Sequence, residues 1–396
     1  MRNRFTTRNQ WFTETIETIR TSGLALIIST IRFFKTFTAE FGFIFSIFAV
    51  IIKKMTKNRI FPAEWYPQSA VAFTFPHADS DWASLLDKVI PTFVEIISIL
   101  SLHQIVLVVC HDIEEVTHFL KTAYQPNLRL VQVPSNDTWA RDHSAITILE
   151  DGQPILFDFI FNGWGLKFPA NHDNQITRQL AKKGIFSSIP IATIGLAVEG
   201  GALESDGEGT LLTTSECLLS YNRNPQLSKE DTEDVLKEIF GLERILWLDH
   251  GFLAGDDTDS HIDTLARFCD PVTITYVTCD DPNDIHYEAL KAMEDQLKSF
   301  KRLDGSPYSL IPLPMGPIRL DDEGNRLPST YANFLIFNGG VLLPIYGDVE
   351  KDNQAIIALE KCFPDRKIYA VDCNTLIQQH GSLHCITMQF PIGVIH

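Results

Sequence analysis

The sequence predicts an α/β fold, and three observations carry that expectation. Short apolar runs rich in Val, Ile, Leu and Phe alternate along the chain with stretches whose apolar residues recur at spacings of three and four. The first pattern suits buried strands and the second amphipathic helices. The 396 residues are 45% hydrophobic and 21% charged, an ordinary balance for a globular chain with a sizeable core. Past residue 60 no Pro/Gly/Ser-rich linker divides the chain into separate domains.

Taken in order, Ala83–Leu100 reads as a helix leading to a strand at Gln104–Cys110, and Ile113–Ala123 as a helix leading to a strand at Leu128–Val133. A strand at Ile155–Phe161 precedes a helix at Gln175–Lys183, and a strand at Thr210–Thr214 precedes a helix at Lys229–Phe240. Val272–Val277 is then a strand before the helix Ile285–Phe300. Asn333–Phe337 and Val341–Ile345 are strands before the helix Asn353–Cys362, and Lys367–Val371 is a last strand. No glycine-rich nucleotide loop occurs. Asp206-Gly207-Glu208-Gly209-Thr210 fits a hairpin turn better than a phosphate cradle.

Charge divides the chain unevenly. Residues 1–60 hold ten Lys/Arg against three Asp/Glu, or +7, so the net charge of −17 leaves −24 on the remainder. An acidic surface argues against a nucleic-acid partner and is compatible with drawing in small polyamine-like cations, although a merely solvated surface gives the same count. The seven cysteines form no C-x-x-C pair and no regular framework, which reads as reduced thiols in a cytoplasmic protein. No structural zinc spacing is present. His384 and Cys385 are adjacent, which on a strand would aim them to opposite faces, so neither a metal nor a cofactor is expected.

Residues 1–54 form a basic, apolar N-terminal extension ahead of a single domain over 55–396. Phe41–Ile52 is densely apolar but short for a span, and the apolar patch Leu24–Ile31 is cut off by Arg32 and Lys35. The segment lacks the small-residue cleavage site of a secretory signal. An upstream start assigned in error, with translation beginning at Met55, accounts for both the charge shift and the composition. The alternative is a membrane-associating segment, and membrane contact is expected only through residues 24–52.

Four scattered polar clusters suit attack on a guanidinium carbon. A guanidinium is a planar, permanent cation, held best by carboxylates that pair with its N–H groups in plane, a role open to Asp142 and Asp263. Its carbon is a poor electrophile and calls for a thiolate, for which Cys385 is the candidate. His261 can supply both proton transfers, with Glu199 holding its ring. Each residue also has a plain structural reading. Cys385 in an apolar C-terminal strand can be a small core residue, His261 and Asp263 an ion pair or metal ligands, Glu199-Gly200-Gly201 a turn, and Asp142 half of a salt bridge.

Together these segments resemble the agmatine deiminase family, which includes bacterial-type peptidyl-arginine deiminases. The resemblance lies in Phe61-Pro62-Ala63-Glu64-Trp65, Trp139-Ala140-Arg141-Asp142, Glu199-Gly200-Gly201-Ala202, Cys217-Leu218-Leu219 with Asn222-Arg223-Asn224-Pro225, Gly255 to Asp263, and His384-Cys385-Ile386-Thr387. It implies a five-bladed, pseudo-symmetric α/β propeller of ββαβ units, the pentein fold, with the active site in its central channel. It further implies Cys385 as nucleophile, His261 as general acid and base, Glu199 as its orienting carboxylate, and Asp142 and Asp263 as guanidinium ligands. Trp139 would border the pocket, with its face against a cationic substrate.

The sequence departs from the family pattern at His143-Ser144-Ala145, at Ser260 between Asp259 and His261, and at His380-Gly381-Ser382-Leu383. The implied reaction is hydrolysis of agmatine to N-carbamoylputrescine and ammonia through a covalent thiouronium, with Asp256, Asp257 or Asp259 open to hold the distal amine. Peptidyl arginine is the alternative substrate. A non-catalytic binding propeller and a metal-dependent hydrolase using His261 and Asp263 are further alternatives. The charged loop Gly316–Thr330 is long enough to cover the pocket or to be a solvated surface loop. A homodimer is expected only by analogy.

Overall fold

The alternation of strands and helices resolves into one unit repeated around a ring. In the computed structural model, which describes residues 58–396 except 187, strands Ala266–Asp270 and Thr273–Thr278 pair antiparallel, and helix Tyr287–Ser299 returns the chain so that Ser309–Pro314 lies parallel to the second strand. Parallel neighbours cannot be joined by a tight turn, so the helical crossover is what the topology requires.

The same ββαβ order recurs three times without interruption. Ile146–Glu150, Gln153–Ile160, helix Ile176–Lys182 and Ile191–Ala197 form one unit. Glu204–Ser205, Thr210–Thr214, helix Lys229–Phe240 and Arg244–Leu248 form another. Leu335–Phe337, Gly340–Ile345, helix Val349–Cys362 and Lys367–Asp372 form the next. The fifth blade is split between the ends of the domain. The final strand Met388–Pro391 pairs antiparallel with Gln68–Thr74, from which helices Leu86–Ser101 and Ile113–Phe119 lead to the parallel strands Ile105–Cys110 and Leu128–Gln132. This is a five-bladed α/β propeller of ββαβ units, as the resemblance implied, and its ring is closed by its own C-terminal strand.

Local chemistry explains the boundaries. Ser228 and Asp231 form a reciprocal capping box at the start of helix Lys229–Phe240, and Gly241 ends it in the left-handed conformation at φ 72°. Asp206 Oδ1 accepts the N–H groups of Glu208 and Thr210, both at 2.8 Å, which folds the expected hairpin turn. Every strand and helix expected from the sequence is present, with shifted ends. The first helix starts at Leu86 rather than Ala83, and the second stops at Phe119 and passes into a 3₁₀ turn. The strand expected from Asn333 begins at Leu335, which frees the Asn333 side chain.

Several strands gave no clear run in the sequence. Ser309–Pro314 contains two prolines, tolerated because it lies at the edge of its sheet. Ala266–Asp270 is interrupted by Arg267, which is nonetheless fully buried. The expectations for residues 1–54 lie outside the described residues. Among the described residues no helix is long and apolar enough to cross a membrane.

Candidate active site

Cys385 lies in a turn between the last two blades, not in the strand expected for it. The turn brings His384 and Cys385 to the same partner instead of aiming them apart. His384 Nδ1 is 2.8 Å from Asp263 Oδ2, and Cys385 Sγ is 3.8 Å from that same oxygen. The thiol also lies 3.4 Å from Asn333 Oδ1. Burial pushes the Cys385 thiol well above the ordinary range, and the neighbouring Asp263 and Asp142 carboxylates push it the same way. The thiol is therefore protonated at neutral pH.

His261 sits at the start of the 3₁₀ turn Ile262–Thr264 and is 1% exposed. Its Nδ1 is 3.7 Å from Asp142 Oδ1 and its Nε2 is 4.0 Å from Glu199 Oε2. Burial opposes the charge on this ring, but Asp142, then Cys217 and Glu199, outweigh it and lift His261 to about 10. At neutral pH it is an imidazolium. Its Nε2 has no hydrogen-bond partner among the described residues.

The Glu199-Gly200-Gly201 segment is more than a turn. A Cβ at Gly201 would lie 2.5 Å from His261 Nδ1, 2.8 Å from Asp142 Oδ1 and 3.2 Å from Asp263 Oδ2, so only glycine lets these three side chains converge. The Gly201 N–H also donates to Asp142 Oδ1 at 2.9 Å. Glu199 meets His261 only at the edge of ion-pair range. Both its oxygens instead accept from Arg223 Nε at 2.9 Å.

Asp142 comes from the short helix Ala140–His143. Burial holds its carboxyl up at about 6, with His261 pulling it down and Asp263 and Glu199 adding to the rise. Asp263 is held below the ordinary range, because His384 outweighs its burial. Asp263 Oδ1 has no partner among the described residues. A buried acceptor without a donor is costly, and a guanidinium N–H is a donor of the right kind.

A buried ionic chain supports Asp263 from behind. His384 Nε2 is 2.6 Å from Glu64 Oε2, Glu64 pairs with Arg267 at 2.9 Å, and Arg267 pairs with Glu204 at 2.7 Å. Arg267 also donates to the carbonyls of Ala332 and Phe334. Because each charge has a partner, the chain can hold Asp263 rigidly without a stranded charge.

A cleft of about 450 Å³ reaches Cys385. Asp81, Asp137, Asp142 and Asp257 supply its carboxylates, and Trp139 and Trp164 its aromatic walls; its lining contains no Lys or Arg. Trp139 borders the cleft as expected and packs so closely on Gly381 that a Cβ there would strike its ring. Asp257 lies on the lining. Asp259 does not: its Oδ1 is 2.6 Å from Lys167 Nζ and its Oδ2 is 2.6 Å from Arg223, so that carboxylate is already neutralised. No residue of the loop Gly316–Thr330 lines the cleft either. Arg319 fixes it to Asn374 and to the Tyr346 carbonyl, and Arg326 to Asp284.

Glu64, Trp164, Arg223, Asn333 and His384 join the site although none stood out as functional in the sequence. Glu64, Arg223 and His384 sit inside the quoted motifs, which was the available signal; Trp164 and Asn333 had none. Two groups have metal-type donors. In Glu199, Cys217 and His261, Arg223 already occupies both Glu199 oxygens. In His77, Asp79 and His111, a ring nitrogen of each histidine already accepts a backbone N–H, from Asp79 and Ser135. Neither arrangement favours an ion.

A family model for Porphyromonas-type peptidyl-arginine deiminase matches residues 60–391. The agmatine deiminase of Stutzerimonas stutzeri is 32% identical over 354 residues, which cover 83% of this chain and 95% of that protein. A crystal structure from Porphyromonas gingivalis, given the provisional name arginine deiminase, is 51% identical with a TM-score of 0.82, covering 85% of this chain and all of that one. A Cys-to-Ser variant of agmatine deiminase from C. jejuni with substrate bound is 37% identical with a TM-score of 0.80, covering 85% of this chain and 97% of that one. Matches of this extent leave no blade of the propeller unaccounted for, and the chain belongs to the agmatine and peptidyl-arginine deiminase family.

Proposed function

We propose that the chain hydrolyses the guanidinium of agmatine, giving N-carbamoylputrescine and ammonia through a covalent intermediate on Cys385. The observation that carries this reading is the pairing of a buried thiol with two buried carboxylates, one with an unpaired oxygen, at the end of a cleft lined by carboxylates and free of Lys and Arg. Such a lining suits a substrate cationic at both ends and offers no partner to the carboxylate of free arginine. The position of Asp257 on the cleft lining supports it, rather than the already paired Asp259, as the carboxylate for the distal amine.

In this mechanism Asp142 and Asp263 hold the guanidinium in plane, and its charge favours transfer of the Cys385 proton to solvent through the cleft. The thiolate adds to the central carbon. The His261 imidazolium then gives its proton to one nitrogen of the adduct, and ammonia leaves a thiouronium. Neutral His261 next takes a proton from water and hydroxide adds; the C–S bond then breaks as the adduct's hydroxyl proton passes to the departing sulfur, which returns the thiol and a ureido product. The raised affinity of His261 for its proton supports a resting imidazolium that acts first as an acid.

The second reading, an arginine residue within a peptide, is favoured by the family model and by a 45%-identical structure with a provisional peptidyl-arginine deiminase name. In either case residues 55–396 act as one catalytic domain. A cytoplasmic location and a homodimer complete the proposal; the reduced cysteines support the first, and family analogy alone the second.

The test is ammonia release from agmatine, arginine and a peptide with an internal arginine, with Cys385→Ala as control. Agmatine turnover lost in the control is the expected result. Preference for the peptide would move the assignment to the second reading, and no thiol-dependent release from any of the three would overturn both.

A further inference from the structure

The segment Asn162–Phe168 has no part in the chemistry above, yet it holds an unusual run of backbone beside the cleft. Gly163, Trp164, Gly165 and Leu166 all lie in the left-handed region, at φ 67°, 54°, 81° and 68°. Side chains disfavour that conformation, and two of the four residues carry one. Such strain persists only where the surroundings over-determine it, and it concentrates at functional sites. Here the constraints are visible. Asn162 Oδ1 accepts the Gly165 N–H at 2.9 Å, and Asn162 Nδ2 donates to the Asn222 carbonyl at 2.9 Å. Lys167 Nζ bonds the Asp257 carbonyl and Asp259 Oδ1, both at 2.6 Å.

The result of the turn is the placement of one indole. Trp164 is buried on the cleft wall, and its Nε1–H donates to Asp142 Oδ2 at 2.9 Å. Asp142 stands among Asp263 and Glu199, which oppose its charge, with His261 and Arg141 as the facing cations and the neutral Cys385 thiol nearby. Its hydrogen-bond donors among the described residues are the Gly201 N–H on Oδ1 and the Trp164 N–H on Oδ2. Each oxygen keeps a free lone pair for a guanidinium.

We propose that Trp164 is a positioning residue for deimination: its indole N–H fixes the Asp142 carboxylate and keeps it ionised, which a guanidinium-holding group must be. The inference rests on the deiminase reading. A tryptophan serving only as an apolar wall would lose little on replacement by phenylalanine, because the aromatic surface remains.

The experiment compares wild type and Trp164→Phe over pH 5 to 9, in turnover and in unfolding by denaturant. A hydrogen bond to a charged group corresponds to roughly tenfold to a hundredfold in an equilibrium, or about one to two pH units in the ionisation of Asp142. The acidic limb of kcat/KM should therefore move upward by about one unit or more. The loss of kcat/KM should be largest near pH 6 and shrink toward pH 9. Stability should follow without any substrate. A carboxyl whose folded pKa lies above its unfolded value leaves the fold unaffected at low pH and destabilises it as pH rises through the folded pKa. Trp164→Phe should thus fall further below wild type at pH 8 than at pH 5, and in an Asp142→Asn background that pH-dependent gap should vanish. An unmoved acidic limb in an active enzyme, or a stability gap equal at all pH values, overturns the proposal. If wild type turns over no guanidino substrate, the deiminase reading fails instead, while the stability comparison still decides whether the indole controls Asp142.

Discussion

Gly201→Ala adds one methyl group at the point where three reacting side chains converge. The new carbon would sit 2.5 Å from His261 Nδ1 and 2.8 Å from Asp142 Oδ1, inside the separation that unbonded heavy atoms tolerate, and 3.2 Å from Asp263 Oδ2. Relief requires His261 and Asp142 to withdraw by several tenths of an ångström to about 1 Å. Both are at most 4% exposed, so neither can swing into solvent. Overpacking of this kind destabilises by about 1–3 kcal/mol. The effect on rate should be larger in proportion, since a misplacement of about 1 Å in a catalytic group can reduce turnover by roughly a hundredfold. The backbone N–H that holds Asp142 is retained, so any loss comes from displacement and not from a missing hydrogen bond. We expect kcat for ammonia release to drop about tenfold to a hundredfold while the protein still unfolds cooperatively. Turnover within about twofold of wild type would refute the view that glycine is required here for the side chains to meet.

Other perturbations bear on the surrounding charges. Arg223→Gln leaves Glu199 buried without the Nε–H that both its oxygens accept, and should cost about 3–5 kcal/mol of stability in denaturant unfolding; a change below about 1 kcal/mol would refute the view that Arg223 is what compensates this buried carboxylate. His261 is raised from 6.5 to about 10, so its stabilising contribution is fully present below pH 6.5 and is lost as pH rises through about 10. The stability difference between wild type and His261→Gln should therefore narrow between pH 7 and pH 10. EDTA should leave ammonia release unchanged; a loss restored by added divalent ion would instead favour a metal-dependent hydrolase.

What could be read from the sequence followed the chemistry of single side chains. Cys385, His261, Asp142 and Asp263 are the residue types that guanidinium chemistry demands, and they converge at Gly201 and Asn333. Direction was harder to foresee than identity. Asp259 has φ 65°, a left-handed turn that sends its carboxylate to Arg223 and Lys167 rather than into the cleft. His384 and Cys385 alternate only if extended, and the turn they occupy cancels that alternation. Asn333 was hidden in an apolar run that reads as strand, and Trp164 in a motif whose backbone no residue but glycine adopts readily. Of the fifth blade, two strands and both helices could be read, but its closure could not, because pairing of Met388–Pro391 with Gln68–Thr74 joins the two ends of the domain, which local periodicity cannot report.

That joining has a consequence for how the enzyme is made. The strand that clasps the ring begins three residues after Cys385, and the thiol's partners Asp263 and Asn333 belong to segments synthesised long before it. A growing chain can complete its four uninterrupted blades, over residues 146–372, and still hold no nucleophile. Closure of the ring and placement of the thiol therefore depend on one short stretch, Cys385 to Pro391. A chain cut before Cys385 would thus be both open and without its thiol.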